Sequence, residues 1–368
     1  MANNDLRAAN KAKKDEFYTS YEDIQTELNY YEKYFEGKTV LCNCDDPFES
    51  NFCKFFLRNF NYLKLKRLIC TSYSTSPVVG GQMTIWDLMD EPVAAGNGYV
   101  MDISEVPMAN GRGVSDDDIY ELLHSKRRGV KKLKGDGDFR SAECIKFLDA
   151  ADIVVTNPPF SLFREYVALL TEHKKDFIII GNTNSLTYRE IFKLFKDNRI
   201  RTGYTKFNVG MFFEVPDYYE KYTKIVDGKK YARVSTSCWF TSLPVKKHND
   251  RLICYKTYNA DDYPKYENYD AININTYTDI PKDYDGLMGV PVTFLDKYNP
   301  EQFELVGLGI SNSGLEIGVK PYTAEHKKYR KEVQHKGAVD GDLYMLDEAG
   351  HPNVPYARII IRRKKEKS

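Results

Sequence analysis

Between residues 20 and 197, short apolar runs alternate with longer stretches whose apolar residues recur at helical spacing. "TVLCNC" (39–44), "RLICTS" (67–72), "DIVVT" (152–156) and "DFIIIGN" (176–182) read as buried strands. "SYEDIQTELNYYEKYFEG" opens with Ser20 and Asp23 at capping-box spacing. It then places Ile24, Leu28, Tyr31 and Phe35 on one face and ends at Gly37. "ESNFCKFFLRNF" carries Phe52, Phe55, Phe56 and Phe60 at helical spacing. "SLFREYVALLTEH" reads as a helix capped by Ser161, and "YREIFKLFKDN" as a further helix. Strands alternating with helices imply a mostly parallel sheet covered on both faces. "VGMFFEV" (209–215) and "SCWFTSL" (237–243) read as a terminal pair that would give this sheet an antiparallel edge.

With 368 residues the chain can form one large domain and a smaller one. Its 53 basic and 53 acidic side chains balance, which argues against a uniformly basic nucleic-acid coat and leaves local patches open. Seven cysteines without a signal peptide fit a reducing cytoplasm. Cys42 and Cys44 have neither a second pair nor a nearby histidine, so they read as core residues and no metal is expected. No apolar run approaches the roughly 18 residues of a membrane span, so a soluble protein is expected.

The strand 152–156 runs into Asn157-Pro158-Pro159-Phe160. Open sheets of this class bind ligands outside the carboxyl ends of their strands, where this tetrapeptide falls. A proline pair can simply end a strand; that account leaves the flanking Asn and Phe unexplained. A chemical account covers all four residues. An exocyclic amine on a base is a weak nucleophile because its lone pair is delocalised into the ring. The Asn157 side-chain oxygen and the Pro158 carbonyl can accept its two hydrogens. The prolines hold that carbonyl in a fixed direction, and Phe160 offers a stacking face. Asn-Pro-Pro-Phe after an apolar strand resembles the catalytic motif of amino-methyltransferases, and the motif alone leaves adenine, cytosine or a glutamine side chain open as the methyl acceptor.

The blocks "KKDEFYTSYEDIQTEL", "KTVLCNCDDPFESNF", "ADIVVTNPPFSLFREY", "STSCWFTSL" and "GLMGVPVTFLDKYNPEQFELVG" together resemble the EcoRI-type adenine-specific DNA methyltransferases along nearly the whole chain. The resemblance implies a Rossmann-like, mostly parallel, seven-stranded methyltransferase sheet and S-adenosyl-L-methionine as cofactor. It implies catalysis by Asn157, Pro158, Pro159 and Phe160. It implies a cofactor site built from Phe17, Tyr18, Thr19, Asn43, Cys44, Asp45, Asp46, Thr71, Ser72, Asp138, Phe139 and Asn157. A carboxylate after the first strand would receive the cofactor's ammonium group, and Asp138 would accept from its adenine amine. Two departures from the wider methyltransferase pattern stand out. Asp46-Pro47-Phe48-Glu49 has no glycine, and the second strand ends in Thr71, Ser72 and Tyr73 without a carboxylate for the ribose.

DNA binding requires basic surface. "KRRGVKKLK" (126–134) has six basic residues and no acid: Lys126, Arg127, Arg128, Lys131, Lys132 and Lys134. "HKKYRKEVQHK" (326–336) and "RIIIRRKKEK" (358–367) are also basic, whereas acid gathers in 115–121 and 261–271. Together they suggest a phosphate-tracking face. The glycine-rich stretch from about 80 to 130 is long for a crossover and reads as an insertion that closes over DNA or cofactor. The expected organisation is a methyltransferase domain over 1–250 and an α+β target-recognition region over 251–368. The expected function is N6 methylation of an adenine flipped out of a short duplex site. The enzyme would be a cytoplasmic, nucleoid-associated monomer, with a cognate restriction endonuclease or as an orphan methylase. The competing readings are an RNA or protein amine methyltransferase, a nuclease and a non-catalytic DNA-binding module. "PDYYEKY" (216–222) lacks the spacing that would place a nuclease's carboxylates on adjacent strands.

Overall fold

The computed structural model describes residues 18–73, 97–108, 111, 113–124, 130–207, 209–215, 217 and 219–365. They fall into two compact units, Met1–Thr183 with Gly203–Leu243 and Asn184–Thr202 with Pro244–Ser368. Among the described residues no helix is long and apolar enough to cross a membrane.

The first unit is built on strands β1 (Thr39–Cys42), β2 (Arg67–Ser72), β3 (Tyr99–Ile103), β4 (Lys131–Lys132), β5 (Ile153–Thr156) and β6 (Asp176–Asn182), with a later strand at Ser237–Thr241. Their order is β4-β3-β2-β1-β5-β6, followed by Ser237–Thr241. β2, β1, β5 and β6 run parallel. β3 and β4 continue one side antiparallel, and Ser237–Thr241 closes onto β6 antiparallel. The sheet is therefore parallel-rich at its centre, as expected, with antiparallel strands on both flanks. Among the described residues the first unit supplies seven strands of this sheet. β1 and β5 are buried along their whole length, as strands covered on both faces must be. Gly181 in β6 makes room for aromatic packing, since a Cβ there would lie 2.5 Å from the Phe163 ring and 2.8 Å from Phe240.

The covering helices follow their sequence signals. Ser20 caps Tyr21–Leu28, its hydroxyl accepting from the Asp23 amide at 3.2 Å, and Ile24, Leu28, Tyr31 and Phe35 are fully buried. Ser50 caps Asn51–Asn59, which buries Phe52, Phe55 and Phe56. Ser141 caps Ala142–Ala150. The expected cap at Ser161 is not formed. Phe160–Leu162 is a 3-10 turn begun by Pro159, and the α-helix Phe163–Glu172 starts after it with no side-chain cap. The Pro159 carbonyl accepts from the Leu162 amide at 3.0 Å, so Ser161 falls inside the turn and its side chain faces outward.

One further expectation is corrected. Met211–Val215 does not pair with Ser237–Thr241. It pairs with Lys229–Val234, which turns back from Lys224–Val226 in a separate three-stranded sheet. Asp227 and Gly228, at φ 50° and 78°, form the two-residue turn favoured in tight hairpins, and that local pairing outcompetes the distant one. The described part of the stretch read as an insertion supplies β3 and the helix Asp116–His124, whose Asp116 ion-pairs with Arg58. Residues 74–96, 109–110, 112 and 125–129, on which the closing role would rest, lie outside the described residues.

The second unit holds a four-stranded sheet in the order Ile272–Asn273, Met288–Pro291, Arg358–Arg363, Phe303–Leu308. The helices Arg189–Lys196, Ser311–Glu316 and Ala324–Glu332 belong to the same unit.

Candidate active site

The carboxyl ends of parallel β1, β2 and β5 lie side by side, and a buried carboxylate ties two of them together. Asp45, 3% exposed, accepts from the Ser50 hydroxyl at 2.6 Å and from the Thr156 hydroxyl at 2.5 Å. Ser50 is the cap of the helix after β1, and Thr156 immediately precedes Asn157. The Asp45 amide donates to the Thr71 carbonyl at 3.0 Å, which adds the end of β2. One residue thus fixes the first-strand loop against both neighbouring strands.

Asn43 continues the arrangement. Its side-chain oxygen accepts from the Tyr166 hydroxyl, on the helix that follows the tetrapeptide. Burial pushes the Tyr166 hydroxyl pKa well up, so it stays a donor. The Tyr166 ring meets Phe139 edge to face at a centroid distance of 5.0 Å.

"GDGDF" reaches β2 by close backbone approach. Gly137 has φ 85°, and a Cβ there would lie 2.1 Å from the Ser72 carbonyl oxygen. Only glycine fits that conformation and that gap. Gly137→Ala should therefore cost about 1–3 kcal/mol in stability, read by urea unfolding. A wild-type midpoint would mean the turn yields without strain.

Four buried polar atoms in this cluster have no hydrogen-bond partner among the described residues: Thr19 Oγ1, Asn43 Nδ2, Thr71 Oγ1 and Ser72 Oγ. Buried polar groups are nearly always paired, so their concentration at three adjoining chain segments requires an explanation. Thr19 joins the cluster because its carbonyl accepts from the Asn51 side chain at 2.8 Å. Tyr18 and Ser20 bond to Glu214 and Phe212 of the three-stranded sheet. Asp46 differs from Asp45. One of its oxygens accepts from the Phe48 and Glu49 amides at 2.9 and 3.3 Å. Burial nevertheless pushes its pKa up, against the opposing pull of those amides. Its other oxygen makes no hydrogen bond among the described residues.

Asp138 is committed elsewhere. Arg140 holds both its oxygens, through Nε at 2.9 Å and a terminal nitrogen at 2.6 Å, and keeps its pKa below the usual carboxylate range. Phe139 is buried and Phe160 is half-buried. Cys44 is half-buried beside Asn43. Phe17 lies outside the described residues, as do Lys126, Arg127 and Arg128. Lys131 and Lys132 form β4, with Lys131 and Lys134 exposed. Two arginines of the basic runs point inward instead. Arg330 is buried and donates to the Gly337 carbonyl, and Arg358 is buried and donates to the Asn273 side chain.

Sequence reading missed Ser50, Thr156 and Tyr166. Ser50 could have been found as a helix cap. Thr156 and Tyr166 carry no sequence signal, because only the parallel pairing of β1 with β5 brings them to residues more than a hundred positions away.

Residues 5–364 match the family described as "Adenine-specific methyltransferase EcoRI". The chain belongs to this family. It is 41% identical over 366 residues to the type II methyltransferase M.EcoRI of Escherichia coli, covering 98% of this chain and 96% of that protein. It is 38% identical over 306 residues to M.MgeORF184P of Mycoplasma genitalium, covering 81% of this chain and 84% of the relative. It is also 38% identical over 306 residues to M.MpnI of Mycoplasma pneumoniae, covering 81% and 83%. No solved structure matches. The chain is a DNA adenine methyltransferase, and the RNA, protein, nuclease and non-catalytic readings are not favoured.

Proposed function

We propose that S-adenosyl-L-methionine is the methyl donor and that it binds among Tyr18, Thr19, Asn43, Cys44, Asp46, Thr71, Ser72 and Phe139. The observation that carries this reading is the set of buried atoms on Thr19, Asn43, Thr71 and Ser72, which lack partners among the described residues. A small polar ligand with hydroxyls, an amine and a carboxylate fits such a set. Bound there, the cofactor supplies an activated methyl group. Asp46 is the carboxylate suited to its ammonium, because burial disfavours the Asp46 charge until a cation arrives. Asp45 positions the loop rather than touching the ligand, since Ser50 and Thr156 occupy both its oxygens.

The test separates ligand binding from packing. Thr71→Val and Ser72→Ala each remove a hydroxyl that has no hydrogen-bond partner among the described residues. Stability should hold or rise slightly, because no protein hydrogen bond is lost. Cofactor affinity measured by calorimetry should weaken by up to about tenfold, the worth of one good hydrogen bond. Lower stability with unchanged affinity would show that the hydroxyls serve the fold.

In the same reading, an adenine rotates out of duplex DNA at a cost of a few kcal/mol and enters beside Phe160. Asn157 and the Pro158 carbonyl hold its amino hydrogens, and Pro159 keeps that carbonyl fixed. Stacking on an aromatic ring is worth roughly 1–3 kcal/mol per base. Phe160→Ala should therefore weaken productive DNA engagement by about tenfold or more, while Phe160→Tyr keeps most activity. Wild-type kcat/KM in Phe160→Ala would remove the stacking role. The unit containing residues 244–368 reads the target sequence, and Lys131 and Lys134 contribute phosphate contacts. Replacing both by Gln should flatten the salt dependence of DNA binding by up to about 0.9 log unit per lost contact; an unchanged slope would make them a solvated face. The enzyme acts as a monomer in the cytoplasm, alongside a cognate endonuclease or alone.

A further inference from the structure

Ser237 opens the antiparallel strand Ser237–Thr241 and is 3% exposed, yet its Oγ has no hydrogen-bond partner among the described residues. Buried hydroxyls are nearly always paired. The residue directly opposite it in the ladder, Asn182, donates its side-chain amide to the Thr236 hydroxyl at 3.1 Å. Ser237 is therefore a buried polar group whose use the fold does not explain.

The register of the sheet places this hydroxyl. β5 ends at Thr156, opposite Ile179 of β6. β6 runs on to Asn182, roughly 10 Å further at the rise of a strand. Ser237 lies beside Asn182, and the Thr183 amide donates to the Thr236 carbonyl at 2.7 Å, which holds the two chain segments together. Asn182 and Ser237 thus extend past the level at which Asn157-Pro158-Pro159-Phe160 leaves β5. All of these residues belong to the first unit.

The strand order β2-β1-β5-β6, followed by Ser237–Thr241, puts the tetrapeptide between two sets of unpartnered groups. On the β1 and β2 side are Asn43, Thr71 and Ser72, the proposed cofactor atoms; on the β6 side is Ser237. In-line methyl transfer needs donor and acceptor on opposite sides of the moving carbon. With the donor over β1 and β2, the acceptor approaches from the β6 side. Packing fixes which face of the sheet Ser237 occupies, because successive side chains alternate. Phe240 meets Phe163 at 5.0 Å, on the helix after the tetrapeptide, whereas Trp239 meets Phe52 at 6.0 Å, on the helix after β1. Ser237 shares the Trp239 face.

We propose that Ser237 binds the target adenine, its hydroxyl donating to a ring nitrogen beside the amino group, N1 or N7. A base held by its amino hydrogens alone can pivot about that nitrogen, and a second contact to the ring fixes the direction of the attacking lone pair. The inference rests on the proposed entry of the adenine beside Phe160 and adds its second polar anchor. The helix carrying Phe52 also holds Thr19 through Asn51, so a cofactor contact is the competing assignment.

The test uses the full chain, Ser237→Ala, and duplexes carrying adenine, 1-deazaadenine or 7-deazaadenine at the methylated position. With adenine, the variant should lose about tenfold in kcat/KM, the worth of one good hydrogen bond. On one of the two deaza duplexes, variant and wild type should become equal within about twofold, because the contact is already absent; on the other the tenfold difference should persist. That pattern identifies the contacted nitrogen. Cofactor affinity by calorimetry and the urea midpoint should match wild type. Ser237→Cys keeps the volume with a weaker donor, and carries the same comparison if the alanine variant is poorly folded. A variant that equals wild type on adenine, or a loss that persists on both deaza duplexes, would overturn the contact. A fall in cofactor affinity with that persistent loss would give Ser237 to the cofactor. Either result leaves entry of the adenine beside Phe160 standing, since Phe160→Ala tests it separately.

Discussion

Asn157→Ala is expected to lower methyl transfer by about two to three orders of magnitude, the usual effect of removing one preorganised polar group from a reacting centre. Cofactor affinity should stay within a few-fold of wild type. The asymmetry follows from placement. Asn157 follows the end of β5, one residue beyond Thr156, whose hydroxyl is fixed on Asp45. Its amide is thus carried by a strand end that cannot drift. Single-turnover rates at saturating cofactor, together with calorimetric titration of cofactor alone, separate the two effects. Collapse of cofactor affinity with near-normal residual turnover would move Asn157 from the nucleophile's side of the site to the cofactor's.

The parts of this arrangement that were legible in sequence are those set by local chemistry. β2 and β6 occur at the expected residues, because apolar runs bounded by polar residues specify buried strands. Ser20 and the face Ile24, Leu28, Tyr31 and Phe35 behave as helical spacing requires. Pairing between distant strands was less legible. Met211–Val215 and Ser237–Thr241 both look like members of one sheet, yet the intervening Asp227-Gly228 turn captures the first for a hairpin sheet. At the site, Asn43, Thr71 and Ser72 were identifiable as cofactor candidates through the family resemblance. The division of labour between Asp45 and Asp46 was not. Two adjacent carboxylates look equivalent in sequence, and only the fold turns one onto Ser50 and Thr156 while leaving the other an oxygen with no hydrogen bond among the described residues.

That division gives the second large effect, at Asp45. Asp45→Ala removes the acceptor of two hydroxyl groups in a position 3% exposed to solvent. A buried donor left without its partner costs about 1–3 kcal/mol. Losing two acceptor contacts at once should therefore lower the unfolding free energy by about 2–5 kcal/mol, a large share of a typical domain's stability. Asp45→Asn keeps the volume and one acceptor oxygen. One hydroxyl can retain its bond, and the other can rotate to accept from the new amide. Its stability loss should be near 1 kcal/mol, since rearranged neutral hydrogen bonds replace charge-assisted ones. Turnover should fall further than that loss explains, because Thr156 would settle differently on the amide and carry Asn157 with it. Urea unfolding of both variants, with single-turnover rates measured where each remains folded, reads the two effects separately. An Asp45→Ala protein within about 0.5 kcal/mol of wild type would show that the first-strand loop and the end of β5 are held together by something other than this carboxylate.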